Sequence, residues 1–146
     1  MDPDVRILHG SPLAGRVLAS VAERVAVLRG RGIVPTLALV SIGDDPASQV
    51  YLAKKKREGE RAGIEVRAYG IAAADPPDVA FERLRGLAAD PAVHGVLLQM
   101  PLPAGWPAQD LQLAVPPSKD VDGFHPENLG RLALGLPGFV SCTPLG

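Results

Sequence analysis

The sequence predicts an α/β fold: three α/β/α layers, with helices on both faces of a mostly parallel sheet. Three observations predict it. Segments of helical period alternate with short apolar runs along most of the chain. One run, Thr36-Leu37-Ala38-Leu39-Val40-Ser41-Ile42, is apolar at nearly every position, as a strand covered on both faces is. The 16 Gly and 15 Pro of the 146 residues punctuate these segments and form no low-complexity tract.

The elements follow in order. Leu13 to about Leu28 reads as an amphipathic helix, with Val17, Val21, Val25 and Leu28 on one stripe and Gly30 and Gly32 as its stop. Pro35 opens the strand 36–42. Asp45 then suits a helix N-cap and Pro46 the first helical turn. This second helix runs to about Ala62 and ends at Gly63, and Ile64 to Tyr69 alternates as a second strand. A third helix spans about Pro77 to Ala89, and the strand Val93 to Gln99 is cut off by Pro101. Beyond it come a short helix near Gln109–Ala114, an irregular stretch from Pro116 to Gly123, and a Gly/Leu/Pro-rich tail from Asn128 with no finishing element. Open sheets of this kind bind ligands beyond the carboxyl ends of their strands. Here those ends are Ile42-Gly43-Asp44, Tyr69-Gly70 and Gln99-Met100-Pro101.

Composition removes several function classes. Fifteen basic side chains meet sixteen acidic ones, so no whole-chain field draws nucleic acid or anionic lipid. The lone Cys142 excludes an internal disulfide and a cysteine-based zinc site, and it reads as structural. His9, His94 and His125 are too scattered for a metal motif and read as surface or hydrogen-bonding histidines, so no metal is expected. No stretch is long enough to span a membrane, and Met1-Asp2-Pro3-Asp4 lacks the features of a signal peptide. The expectation is a cytoplasmic protein with no membrane or nucleic-acid partner. A P-loop is absent, and Gly30-Arg31-Gly32 lacks the third glycine and the preceding strand of a dinucleotide fingerprint.

Three places carry candidate chemistry. Eleven of the basic residues are Arg and four are Lys, yet Lys54, Lys55 and Lys56 stand in succession. At the helical period, Ser48, Tyr51, Leu52, Lys55, Gly59 and Ala62 share one face, while Lys54, Lys56 and Arg57 point elsewhere. Lys55 is thus aimed at a small, partly apolar face beside Tyr51, where lost hydration favours the neutral amine that serves as general base or proton shuttle. The same run also fits a solvated basic face or a snorkelling lysine. As a nucleic-acid patch it is short and lacks interleaved aromatics. Gln99 ends an apolar strand where a parallel sheet presents ligand contacts; it suits orienting a lysine, gripping a heterocycle edge, or capping a turn. In Lys119-Asp120-Val121-Asp122-Gly123-Phe124, two carboxylates sit two apart in an expected extended loop, and one beside a permissive glycine suits the donor edge of a pterin or guanidine-like ring. The spacing does not fit a calcium loop, and a solvated turn with a local Lys–Asp pair is the other reading.

Together the motifs resemble a known family. Gly43-Asp44-Asp45-Pro46-Ala47-Ser48-x-x-Tyr51-x-x-x-Lys55-x-Arg57, then Gly95-Val96-Leu97-Leu98-Gln99-Met100-Pro101-Leu102-Pro103, then Pro117-Ser118-Lys119-Asp120-Val121-Asp122-Gly123-Phe124-His125-Pro126, closing on Cys142-Thr143-Pro144, are similar to the bifunctional methylenetetrahydrofolate dehydrogenase/methenyltetrahydrofolate cyclohydrolase family. The resemblance implies a folate-binding catalytic domain over residues 1–146. Its tail, from about residue 128, leads toward an NADP-binding Rossmann domain absent from this chain, and no cofactor-binding residue is expected within it. It also implies that Lys55 is the catalytic lysine, that Gln99 supports it and that Tyr51 stacks on the aminobenzoyl ring of the folate. Asp122 binds the pterin, and Ser48, Pro101 and Leu102 line the pocket. The implied partners are tetrahydrofolate derivatives and, in the full-length form, a second copy in a homodimer; the implied place is one-carbon metabolism feeding purine biosynthesis. The alternative is a non-catalytic folate-binding or dimerisation module lacking its cofactor domain.

Overall fold

The structure, a computed structural model, describes residues 9–141; Cys142, Thr143 and Pro144 of the closing motif lie outside the described residues. Helix α1 spans Gly10–Gly30, strand β1 Thr36–Ile42, helix α2 Pro46–Arg61, strand β2 Glu65–Ile71 and helix α3 Pro77–Ala89. Strand β3 spans Gly95–Leu98, helix α4 Ala108–Leu113 and helix α5 Pro126–Ala133. The described strands form one parallel sheet in the order β2-β1-β3. The fold class is the expected one, with a core on each face. Alternate residues of β1 serve opposite faces, as strand geometry requires. Ala38, Val40 and Ile42 pack with Ala80, Leu84 and Leu87 of α3 and Leu111 of α4. Leu39 packs with Leu52 of α2, Val66 and Leu97 on the other side.

Three expectations need correction. Strand β3 starts at Gly95 and not at Val93: Val93 closes a turn by donating to the Asp90 carbonyl, and the Thr36 N–H is taken by the His94 ring at Nδ1, 3.2 Å away. The tail is not irregular from its start, because α5 forms there. Pro126 occupies its first turn, the His125 ring accepts from the Glu127 N–H at 3.1 Å, and Arg131 pairs with Glu127 one turn earlier. Helix α1 buries only Val25; Val17, expected on the inward stripe, is 53% exposed. That helix meets the body through its last turns, where Arg29 Nε donates to the Gly63 carbonyl at 2.9 Å.

Residues 119–122 run beside β3 and extend the frame of the site. Val96 donates to the Lys119 carbonyl at 2.8 Å, and Val96 and Asp120 form a parallel bridge. Lys119 does not pair with its acidic neighbour. Its ammonium caps α3, donating to the Asp90 carbonyl at 2.7 Å and to the Leu87 carbonyl at 3.3 Å. Gly123 ends the segment at φ +68°, and a Cβ there would stand 2.9 Å from the Ser141 backbone nitrogen. Gly123→Ala therefore meets both backbone strain and a rigid backbone neighbour. It is expected to cost about 1–3 kcal/mol, read as a lower melting temperature in calorimetry.

Candidate active site

The turn after β1 fixes where α2 begins. Gly43 takes φ +79°, and a Cβ there would lie 3.2 Å from Cγ of Pro103, so the turn packs tightly against the segment following β3. Asp45 caps the helix: its carboxylate accepts from the Ser48 N–H at 2.8 Å, and bonding to Ser48 holds the carboxyl below its ordinary range. Ser48 itself is buried under the first turn. One turn further on, Leu52 locks the helix onto the sheet. The face with Tyr51 and Lys55 then overhangs the end of β3, and of the lysines in the run only Lys55 is half-buried.

Lys55 and Gln99 meet directly. The Lys55 ammonium donates to Gln99 Oε1 at 3.0 Å, while Gln99 Nε2 donates to the Met100 carbonyl at 2.6 Å. The second bond fixes which end of the amide faces the lysine. The backbone N–H of Gln99 is itself anchored to the Val40 carbonyl at 2.8 Å, so the acceptor stands on the sheet and not on a loose loop. A cis Met100–Pro101 peptide follows. Pro101 is exposed there, and Leu102 is half-buried against the core.

Asp122 is half-buried and near enough to Lys55 for the ammonium charge to act on its carboxyl. Burial pushes its carboxyl above the ordinary range, the Lys55 charge pulls it down and the neighbouring Asp120 pushes it up. Asp120 and Asp122 differ in what they hold. Asp120 is buried and hydrogen-bonded to the start of α5, whereas Asp122 is half-buried and feels the Lys55 charge. A cavity of about 20 Å³ beneath them is lined by both carboxylates, Gln112, Val115 and Phe124. It has room for about one water and none for a larger ligand. Tyr51, one helical turn before Lys55, is 62% exposed and leaves its ring free for a ligand.

The structure thus brings Lys55 and Gln99 into contact at the carboxyl end of β3, with Asp122 within reach of the Lys55 charge; Tyr51 lies one helical turn before Lys55, and Pro101 and Leu102 follow Gln99 in the chain. Ser48 bonds Asp45 at the helix start. A larger open groove of about 560 Å³ lies between α5 and residues 137–139 and contains none of the three central residues. Sequence reasoning missed Asn128, which donates to Asp120 at 2.9 Å from inside α5. The available signal was Pro126 at the helix start with Glu127 and Arg131 one turn apart. Chemically, an amine aligned by an amide oxygen, a carboxyl with a raised pKa and an exposed aromatic ring suit a flat heterocycle with a donor edge and a proton to move.

A dinucleotide does not fit the β1–α2 turn, the place where an α/β sheet offers a phosphate cradle. Asp44 and Asp45 stand there, and the Asp45 carboxylate already occupies the helix N-terminus. Among the described residues there is no group of three or more His, Cys, Asp or Glu placed to hold a metal. Among them, too, no helix is long and apolar enough to cross a membrane.

The chain is similar to several known proteins. Residues 8–122 match the family described as tetrahydrofolate dehydrogenase/cyclohydrolase, catalytic domain. The bifunctional protein FolD of Desulfovibrio desulfuricans is 46% identical over 141 residues, covering 96% of this chain and 50% of that protein. The crystal structure of the bifunctional enzyme FolD, methylenetetrahydrofolate dehydrogenase/cyclohydrolase, from Campylobacter jejuni superposes with a TM-score of 0.91 at 37% identity, covering 93% of this chain and 49% of that one. The corresponding Trypanosoma brucei enzyme, solved with NADP cofactor and inhibitor, gives 0.91 at 25% identity over 97% of this chain and 49% of that one. The chain spans about half the length of the curated relatives it matches.

Proposed function

The chain belongs to the tetrahydrofolate dehydrogenase/cyclohydrolase family, and we propose that it supplies the folate-handling catalytic half of such an enzyme. The enzyme oxidises methylenetetrahydrofolate to methenyltetrahydrofolate with NADP and hydrolyses that product to formyltetrahydrofolate. The observation that carries the reading is the Lys55–Gln99 hydrogen bond of 3.0 Å at the end of β3.

In this reading the pterin lies beside Lys55 with its donor edge on the Asp122 carboxylate, and the aminobenzoyl ring stacks on Tyr51. Ser48, Pro101 and Leu102 shape the walls. In its neutral form the Lys55 amine takes a proton from water as the water oxygen bonds to the methenyl carbon. The carbinolamine then collapses: its hydroxyl becomes the formyl carbonyl, one carbon–nitrogen bond breaks and the released nitrogen takes up a proton. One proton is released overall. Gln99 keeps the amine pointed at the reacting carbon by accepting from it. A neutral amine suits this step better than an ammonium, because the methenyl group is cationic. NADP, when bound, supplies the hydride acceptor for the oxidation. Its binding is assigned mainly to the half of the relatives outside the matched region, since the β1–α2 turn here does not suit a phosphate. A cytoplasmic location and a homodimer in the full-length form carry over from the family resemblance alone.

The test is the absorbance decay of methenyltetrahydrofolate with the purified chain and no nucleotide. Decay above the buffer rate, lost in Lys55→Met, is the expected result. Folate binding without any acceleration would instead support a non-catalytic folate-binding module.

A further inference from the structure

Asp120 is a buried charge that the proposed reaction leaves unused. Its side chain is 7% exposed, and it takes part in no ion pair among the described residues. Taking a carboxylate out of water is costly unless hydrogen bonds replace the lost hydration. Here neutral donors do so: Oδ2 accepts from the His125 N–H at 2.8 Å and from Asn128 Nδ2 at 2.9 Å. Asn128 is 3% exposed, and its Nδ2 also donates to the Pro117 carbonyl at 3.0 Å. One amide therefore ties both ends of the 117–120 stretch to α5. On the other side, the Val96–Asp120 bridge ties the same stretch to β3.

Asp122 follows two residues later inside the turn that the Gly123 N–H closes by donating to the Asp120 carbonyl at 3.2 Å. Both carboxylates line the same small cavity. We infer that Asp120 and Asn128 are positioning residues: their buried hydrogen bond fixes where the Asp122 carboxyl stands relative to Lys55, so folate recognition depends on a pair that does not touch folate. This inference rests on the folate reading of the site. The charged groups that act on Asp122 are Lys55 from α2 and Asp120 from its own segment, and Asp120 adds to the burial that raises the Asp122 carboxyl.

The test uses the chain itself and two readouts. Carboxyl carbon-13 NMR follows the titration of Asp122 without ligand, and calorimetric titration measures the affinity for 5-formyltetrahydrofolate. Asp120→Asn keeps the shape and an acceptor oxygen but removes the charge, and is expected to move the Asp122 titration to lower pH. Asn128→Ala removes the clamp, and is expected to displace the 121–123 amide resonances and weaken folate binding about tenfold. Should Asn128→Ala fail to fold, Asn128→Ser, which shortens the donor but keeps a polar group, is read by the same amide shifts and affinity. An unmoved titration and affinity in variants with the wild-type circular dichroism overturn the positioning pair, even where Asp122→Asn loses folate. Ligand-free shifts in the variants together with a wild-type chain that binds no folate overturn the folate reading and support the positioning of Asp122 by Asp120 and Asn128.

Discussion

Replacing Lys55 by methionine is expected to slow methenyltetrahydrofolate hydrolysis about 100- to 10,000-fold, the range lost when a positioned general base is removed. Folate affinity should change by no more than a few-fold. The separation follows from where Lys55 stands. Its stem lies over the end of β3, and methionine, unbranched and of similar length, refills that space without asking the backbone to move. What disappears is the amine, and no described side chain replaces it: Gln99 offers a carbonyl oxygen and an amide already bonded to Met100, neither of them a base. Lys55→Arg is the informative companion. It keeps a cation and a donor to Gln99 but cannot lose its proton near neutral pH, so it should be as inactive as methionine. Activity retained in the arginine variant would mean that the lysine acts only as a charge. Single-turnover absorbance with calorimetric binding on the same samples separates the outcomes.

How much of this was legible in the sequence depends on whether the determining contact is local. Strand β1 and helix α3 stand at their expected limits, since an all-apolar run and a Pro-started amphipathic segment are signals contained in their own residues. Lys55 could be picked from the three consecutive lysines because helical geometry alone points it away from its neighbours. Strand β2 was harder. Its pairing runs on to Ile42↔Ile71, past Tyr69, but Gly70 has no side chain to carry the alternation. Helix α5 was missed for another reason: it has eight residues, its Leu129 and Leu132 are exposed, and its one buried residue is the polar Asn128. The division of labour between Asp120 and Asp122 was not readable at all. Spacing sets them two apart, and what separates their roles is an amide on α5, eight residues beyond Asp120 in the chain.

Asp122→Asn should weaken folate binding about tenfold to a few hundredfold, as expected when one or two hydrogen bonds to a charged acceptor are lost. The amide turns a donor toward a donor edge and cannot accept as the carboxylate does. The variant should also gain stability at neutral pH, and the sign follows from the direction of the shift. Burial raises the Asp122 carboxyl in the folded chain above its ordinary value of 3.8, so the folded state holds this proton more tightly than the unfolded chain does. The stability tied to that proton is fully present below the unfolded pKa and is lost as pH rises through the folded one. Above that window the wild type carries a half-buried charge that disfavours folding, and asparagine removes it. Folate binding runs the opposite way, because only the ionised form accepts from the pterin. Wild-type affinity should therefore fall as pH drops through the raised Asp122 pKa, while the asparagine variant should lose that dependence. Lys55→Met removes the charge that pulls this carboxyl down, so it should move the fall to higher pH. Melting temperatures and folate affinities measured together across acidic and neutral pH check each of these signs. A variant losing affinity but also stability at neutral pH would show that Asp122 serves the fold before it serves the ligand.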